Sequence, residues 1–126
     1  MHCPQVIVLE NEGIWSGVLQ RVPGRRWLVC TVRHAEAVQE HLPPGAEVVV
    51  IVELTDVGRG HWELLPWLTR RRPQCPVIGI VGDQDDTLAL RAWQAGCLCV
   101  VPKSIAPQRL LDLVETLIAW AWPLKS

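Results

Sequence analysis

Five consecutive β-branched residues, Val48-Val49-Val50-Ile51-Val52, constrain this chain more than any other feature of it. A half-exposed strand alternates apolar and polar side chains. An unbroken run predicts a strand buried on both faces, here extending over Ala46–Leu54. Such a strand belongs in the middle of a parallel sheet covered by helices on both sides. Sheets of that kind gather ligands and chemistry beyond the carboxyl ends of their strands. The residues to watch are therefore Val52, Glu53, Leu54, Thr55 and Asp56.

The rest of the chain reads in the same alternating pattern. Gln5–Leu9 is a short strand ended by Glu10-Asn11-Glu12, and Ile14, Trp15, Val18, Leu19 and Val22 follow at helical spacing until Pro23-Gly24. Arg26–Val32 reads as a second strand, and Ala35, Val38 and Leu42 mark a short helix before Pro43-Pro44-Gly45. After the central strand, Val57–Gly60 reads as a loop. Trp62, Leu64, Leu65 and Leu68 carry a third helix to about Arg72, with Pro66 predicting a kink or a late start. Pro76–Val81 is a fourth buried strand, and Asp85 or Asp86 can cap a helix that Gly96 ends. Leu98–Val101 is the fifth strand. Pro107 suits the first turn of a last helix that runs through Leu110, Val114, Leu117 and Ala121 to Pro123. The fold class expected is α/β, a doubly wound five-stranded parallel sheet of order 2-1-3-4-5.

Composition narrows the function. A chain of 126 residues, 49% hydrophobic and 20% charged, has the size and apolar content of one globular domain over 1–126. A net charge of −1 argues against general binding to nucleic acid or to an acidic membrane surface. No apolar run approaches the roughly 20 residues of a membrane span, and Met1-His2-Cys3-Pro4 does not open a signal peptide. The expected location is the cytoplasm. Five cysteines at irregular spacing, with no second Cys/His pair beside Cys97-Leu98-Cys99, predict reduced thiols and no metal site.

Several stretches together resemble the receiver domain of bacterial response regulators. Val8-Leu9-Glu10-Asn11-Glu12 resembles the acidic ending of the family's first strand, and Glu47–Ile51 the approach to its phosphorylated aspartate. Gly60–Leu65, Arg72-Pro73 and Pro76–Ile78 resemble its third helix and fourth strand; Ala95-Gly96-Cys97 and Lys103 resemble its last strand segment. The resemblance implies phosphoryl transfer from a histidine kinase to an aspartate beside a divalent metal. Carried over residue by residue, it departs in one pocket. Val52 falls on the acceptor, Asn11 on the second acid, Val81 on the switching Ser/Thr, and Ser104 replaces the proline after Lys103. An isopropyl group can neither attack phosphorus nor bind a cation, and an amide weakens a magnesium site.

The polar groups left in this vestigial phosphorylation pocket are Glu10, Asn11, Glu53 and Lys103. Lys103 can reach an anion or Glu10. Glu53 enters the pocket if the strand slips by one residue, its carboxylate then imitating a phosphoaspartate. Asp56 reads as a turn residue, and His34, His41 and His61 as surface histidines. Arg70-Arg71-Arg72 reads as a solvated helix end. Trp93, Trp120 and Trp122 add apolar surface to the fourth and fifth helices, the face on which receivers often dock partners. Trp122, next to Pro123, is the expected anchor.

The expected function is that of a degenerate or pseudo-receiver, without enzymatic activity or cofactor. It would bind a protein partner in a signalling pathway, or a second copy of itself through the fourth-helix/fifth-helix face, with no role for nucleic acid or membrane. Two alternatives stand beside it: a phosphorylatable receiver using a displaced acid, Glu53 or Asp56, and a small flavodoxin-like ligand binder or enzyme. Against the last, Glu10-Asn11-Glu12-Gly13 lacks a Gly-rich phosphate cradle.

Overall fold

The computed structural model of the protein describes residues 3–55 and 59–123; the expected turn residue Asp56 lies outside them. Five strands and five helices alternate: β1 Gln5–Leu9, α1 Ile14–Gln20, β2 Leu28–Val32, α2 Ala35–Glu40, β3 Val48–Glu53, α3 Arg59–Arg71, β4 Val77–Val81, α4 Asp86–Ala95, β5 Cys99–Pro102 and α5 Pro107–Ala121. The strands form one parallel sheet in the order β2-β1-β3-β4-β5, as the sequence predicts.

Period-two alternation sorts the side chains of this sheet into two cores. Val48, Val50 and Val52 of β3 join Ile7 and Leu9 of β1 in the core under α2, α3 and α4. Val49 and Ile51 join Val6, Val8, Trp15 of α1 and Leu110, Val114 and Leu117 of α5 on the other face. Every residue from Val48 to Val52 is at most 1% exposed. That is why the run carries no polar residue: each side chain meets a helix layer.

Boundaries differ from the sequence reading at several elements: β3 is Val48–Glu53, shorter than Ala46–Leu54, and β4 starts at Val77. β2 starts at Leu28, because Trp27 is buried in the α1/α5 core just ahead of the strand. α3 begins at Arg59 and continues through Pro66. Proline has no N–H for Trp62's carbonyl, but the helix pins Leu64, Leu65 and Leu68 into the core, each 1% exposed. β5 lies one residue further on, at Cys99–Pro102.

α1 is only seven residues long, and side chains outside it hold its C-terminal end. Arg25 donates from Nη1 to the carbonyl of Gln20 at 2.7 Å and from Nε to that of Trp27 at 3.2 Å. Gly79 of β4 leaves room for Cys97, just past α4, and for Leu54, just past β3: a Cβ there would stand 3.0 Å from Cys97 Sγ and 3.1 Å from Leu54 Cδ1.

Gly96 closes α4 with φ +116°, and a Cβ there would collide with Thr69 Oγ1 of α3. Gly96→Ala therefore faces both backbone strain and a clash. It is expected to destabilise the domain by about 1–2 kcal/mol or more. A thermal melt of the variant checks this; an unchanged midpoint would mean that the α3–α4 junction yields freely.

Candidate functional site

At the carboxyl ends of β1, β3, β4 and β5, the side chains named in the sequence reading fall into three groups. Val52 and Val81 are core residues, 0% and 4% exposed. Asn11 is exposed. Glu10, Glu53 and Lys103 are the charged groups, and each has a partner.

Glu10 is 1% exposed, and its carboxylate turns onto the start of α1. Oε1 accepts from the backbone N–H of Trp15 at 2.9 Å and Oε2 from that of Ser16 at 2.8 Å. Gly13, the N-cap residue, has no side chain to serve these donors. Glu10 does so from three residues upstream, and its negative charge sits at the positive end of the helix.

Glu53 has the same facing as Val49 and Ile51, so its side chain lies on the α1/α5 side of β3 with no slip of register. Its Oε2 accepts from the indole Nε1 of Trp15 at 3.2 Å, and its Oε1 stands 3.6 Å from Lys103 Nζ. The ion pair that Lys103 makes is thus with Glu53, and Glu10 is committed elsewhere. The side chains of Lys103 and Glu53 are 46% and 25% exposed, so the pair contributes about 1 kcal/mol at most to stability. Its significance is positional: a carboxylate is fixed against the lysine at the mouth of the sheet.

The backbone around this pair is tied down by its neighbours. His61 of α3 bonds through Nδ1 to the carbonyl of Glu53 at 2.8 Å. A carbonyl only accepts, so Nδ1 carries the proton. Trp62 donates from Nε1 to the carbonyl of Thr55 at 2.8 Å. Lys103 N–H donates to Val81 O at 2.9 Å, and Ser104 N–H to Asp83 Oδ1 at 3.0 Å. Sequence reasoning named neither Trp15 nor His61 as part of the pocket. Parity along β3 held the signal for Trp15: counting from Ile51 places Glu53 on the face that α1 covers.

The receiver resemblance implies a divalent cation, and these residues do not fit one. Both oxygens of Glu10 are buried on backbone donors, Asn11 is neutral, Val52 is aliphatic, and Glu53 is shared between Lys103 and Trp15. Among the described residues no three His, Cys, Asp or Glu side chains gather as ligands. The cysteines are free, and burial pushes the thiols of Cys75 and Cys97 up to about 12, leaving them protonated and unreactive.

The three tryptophans separate. Trp93 of α4 and Trp120 of α5 are 51% and 66% exposed. Trp122 follows the inward stripe of α5, one turn after Ile118, and packs against the α1/α5 core. It also lines a cleft of about 580 Å³ with Pro4, Trp27 and Glu47, at the end of the sheet opposite Glu53.

No protein-family model and no curated protein sequence matches the chain. Solved structures do. The response regulator StyR is 24% identical with a TM-score of 0.77, covering 94% of this chain and 61% of that longer one. A signal receiver domain of an HD domain-containing protein from Pseudomonas fluorescens is 19% identical, TM-score 0.78, over 95% of this chain and 89% of its own. A CheY-like receiver domain protein from Methanospirillum hungatei is 16% identical, TM-score 0.78, over 96% and 97%. The fold is that of response-regulator receiver domains. No described helix is long and apolar enough to cross a membrane.

Replacing Glu10 by Ala would leave two buried backbone N–H groups without acceptors, at about 1–3 kcal/mol each. Glu10→Ala is expected to destabilise by roughly 2–4 kcal/mol in denaturant titration, and Glu10→Gln, which keeps one acceptor oxygen, by clearly less. Equal losses would show that the volume of the side chain matters and its hydrogen bonds do not.

Proposed function

We propose that this chain is a receiver-type signalling module that works without aspartate phosphorylation. In this reading the carboxylate of Glu53, one residue past the acceptor position at Val52, offers Lys103 a permanent negative charge in place of one acquired from a phosphoryl group. The observation that carries this reading is the Glu53–Lys103 ion pair braced by the Trp15 indole. In the receivers this chain resembles, the equivalent lysine contacts the phosphoryl group; here it meets a glutamate that needs no donor and no metal. The module would act by protein–protein contact in a two-component-type pathway, in the cytoplasm, as a single unit or as the regulatory domain of a longer chain. It would have no enzymatic activity of its own and no role for nucleic acid or membrane.

The contact surface fitting this role is the outer face of α4 and α5, where Leu90, Trp93 and Trp120 are exposed. Large apolar side chains left in solvent are the material of interface anchors. A protein partner or a second copy of this chain would bury them.

Treatment with acetyl phosphate and magnesium, followed by intact-mass measurement, is expected to show no added phosphoryl group. A gain that disappears in Glu53→Gln or in Asp56→Ala would replace this reading with that of a phosphorylatable receiver using a displaced acid.

Changing Trp93 and Trp120 together to Ala is expected to weaken self-association or partner binding by about 2 kcal/mol or more while leaving the melting temperature nearly unchanged. Trp122→Ala should do the reverse, since its ring packs on the core. Sedimentation and a melt on the same samples separate the two. Unchanged association in the Trp93/Trp120 variant would remove this face from the proposal.

A further inference from the structure

A second surface lies on the other flank of α4. Between α3 and α4 the molecule leaves an open groove of about 420 Å³, lined by Trp62, Pro66, Thr69, Arg70, Arg91 and Gln94. It sits over the core that contains β3's Val50 and Val52, on the sheet face opposite α1 and α5.

The floor of the groove is fixed. Trp62 is 8% exposed and its indole N–H is held by the carbonyl of Thr55, so the ring cannot rotate away. The guanidinium of Arg91 lies over that ring, 4.0 Å from its centroid. Stacking of this kind uses the flat face of a guanidinium and leaves its N–H edge free to bind. On the α3 side, Arg70 donates from Nε to the carbonyl of Pro66 one turn back, at 3.4 Å. That bond orients the side chain without neutralising it. Among the described residues neither arginine has a carboxylate partner, and no acidic side chain lines the groove.

Two oriented, unneutralised guanidinium groups flanking an apolar floor of Trp62 and Pro66 are complementary to carboxylates carried on a peptide. Each guanidinium can take a carboxylate in a two-pronged hydrogen bond. A nucleic acid fits less well. Two cations are fewer than the row of phosphate contacts that such binding rests on. We propose that the α3–α4 groove docks an acidic segment of a partner protein, with its carboxylates clamped by Arg70 and Arg91. This surface is distinct from the outer face of α4 and α5 and does not depend on what happens at Glu53.

The test uses the whole chain and a short fluorescein-labelled polyglutamate peptide, followed by fluorescence anisotropy at low salt. Wild type is expected to bind saturably. Arg91→Gln with Arg70→Gln should weaken binding about tenfold or more, in line with the loss of charge-assisted hydrogen bonds. Arg109→Gln, an exposed arginine on α5, should leave it unchanged. Arg70→Gln alone, which touches only helix backbone, should lose affinity with no change in melting temperature. The proposal is overturned if wild type shows no saturation, or if Arg109→Gln loses as much as the groove variants. It is also overturned if a single-stranded oligonucleotide of matched charge binds more tightly than the peptide and depends on the same two arginines.

Discussion

Burial of β3 on both faces is the constraint from which the rest of this structure follows. A strand without a solvent face must have helices on each side of it, and parallel neighbours linked by crossovers provide them. The same burial bars polar side chains from β3 until the sheet ends. The first position at which the strand can carry a charge is therefore Glu53, at its carboxyl edge, where its carboxylate meets Trp15 and Lys103. The location of the candidate site and the composition of the core are two results of one packing requirement.

At that edge each carboxylate has its own local partner. Glu10 completes the first turn of α1, and Glu53 meets Lys103 across the mouth of the sheet. Neither carboxylate is left facing an empty anionic cradle, which is what a magnesium ion would need. The backbone ties from His61, Trp62 and Asp83 then hold the surrounding loops against this arrangement.

Much of this was legible in the sequence because hydrophobic periodicity reports burial directly. The ten elements, the parallel sheet and its strand order could be read from runs such as Val48–Val52 and Val77–Val81. Positions that depend on a single side chain's facing were harder. Counting from Glu47 or Gly60 points to Val52, while the carboxylate that reaches Lys103 belongs to the next residue, because adjacent strand residues face opposite ways. The bond from Glu10 to α1 was hidden for another reason. A glycine stands at the N-cap, so the residue that serves the helix start lies outside the usual capping position. Trp120 and Trp122 were separable only by following the inward stripe of α5 through Ile118, which makes Trp122 the ring on the core and Trp120 the one in solvent.

The two clasps on α1, Glu10 at its beginning and Arg25 at its end, bear on how this part of the molecule opens. Seven residues are too few to hold a helix in water by propensity alone, because the nucleation penalty is not recovered over so short a length. Both clasps originate in segments that border β1 and β2, so the helix cannot fray from either end without releasing a contact anchored beside the sheet. Its amide protons should then exchange with solvent in the same cooperative event as those of β1, as one opening unit. A helix too short to stand by itself is, in that sense, an extension of the sheet.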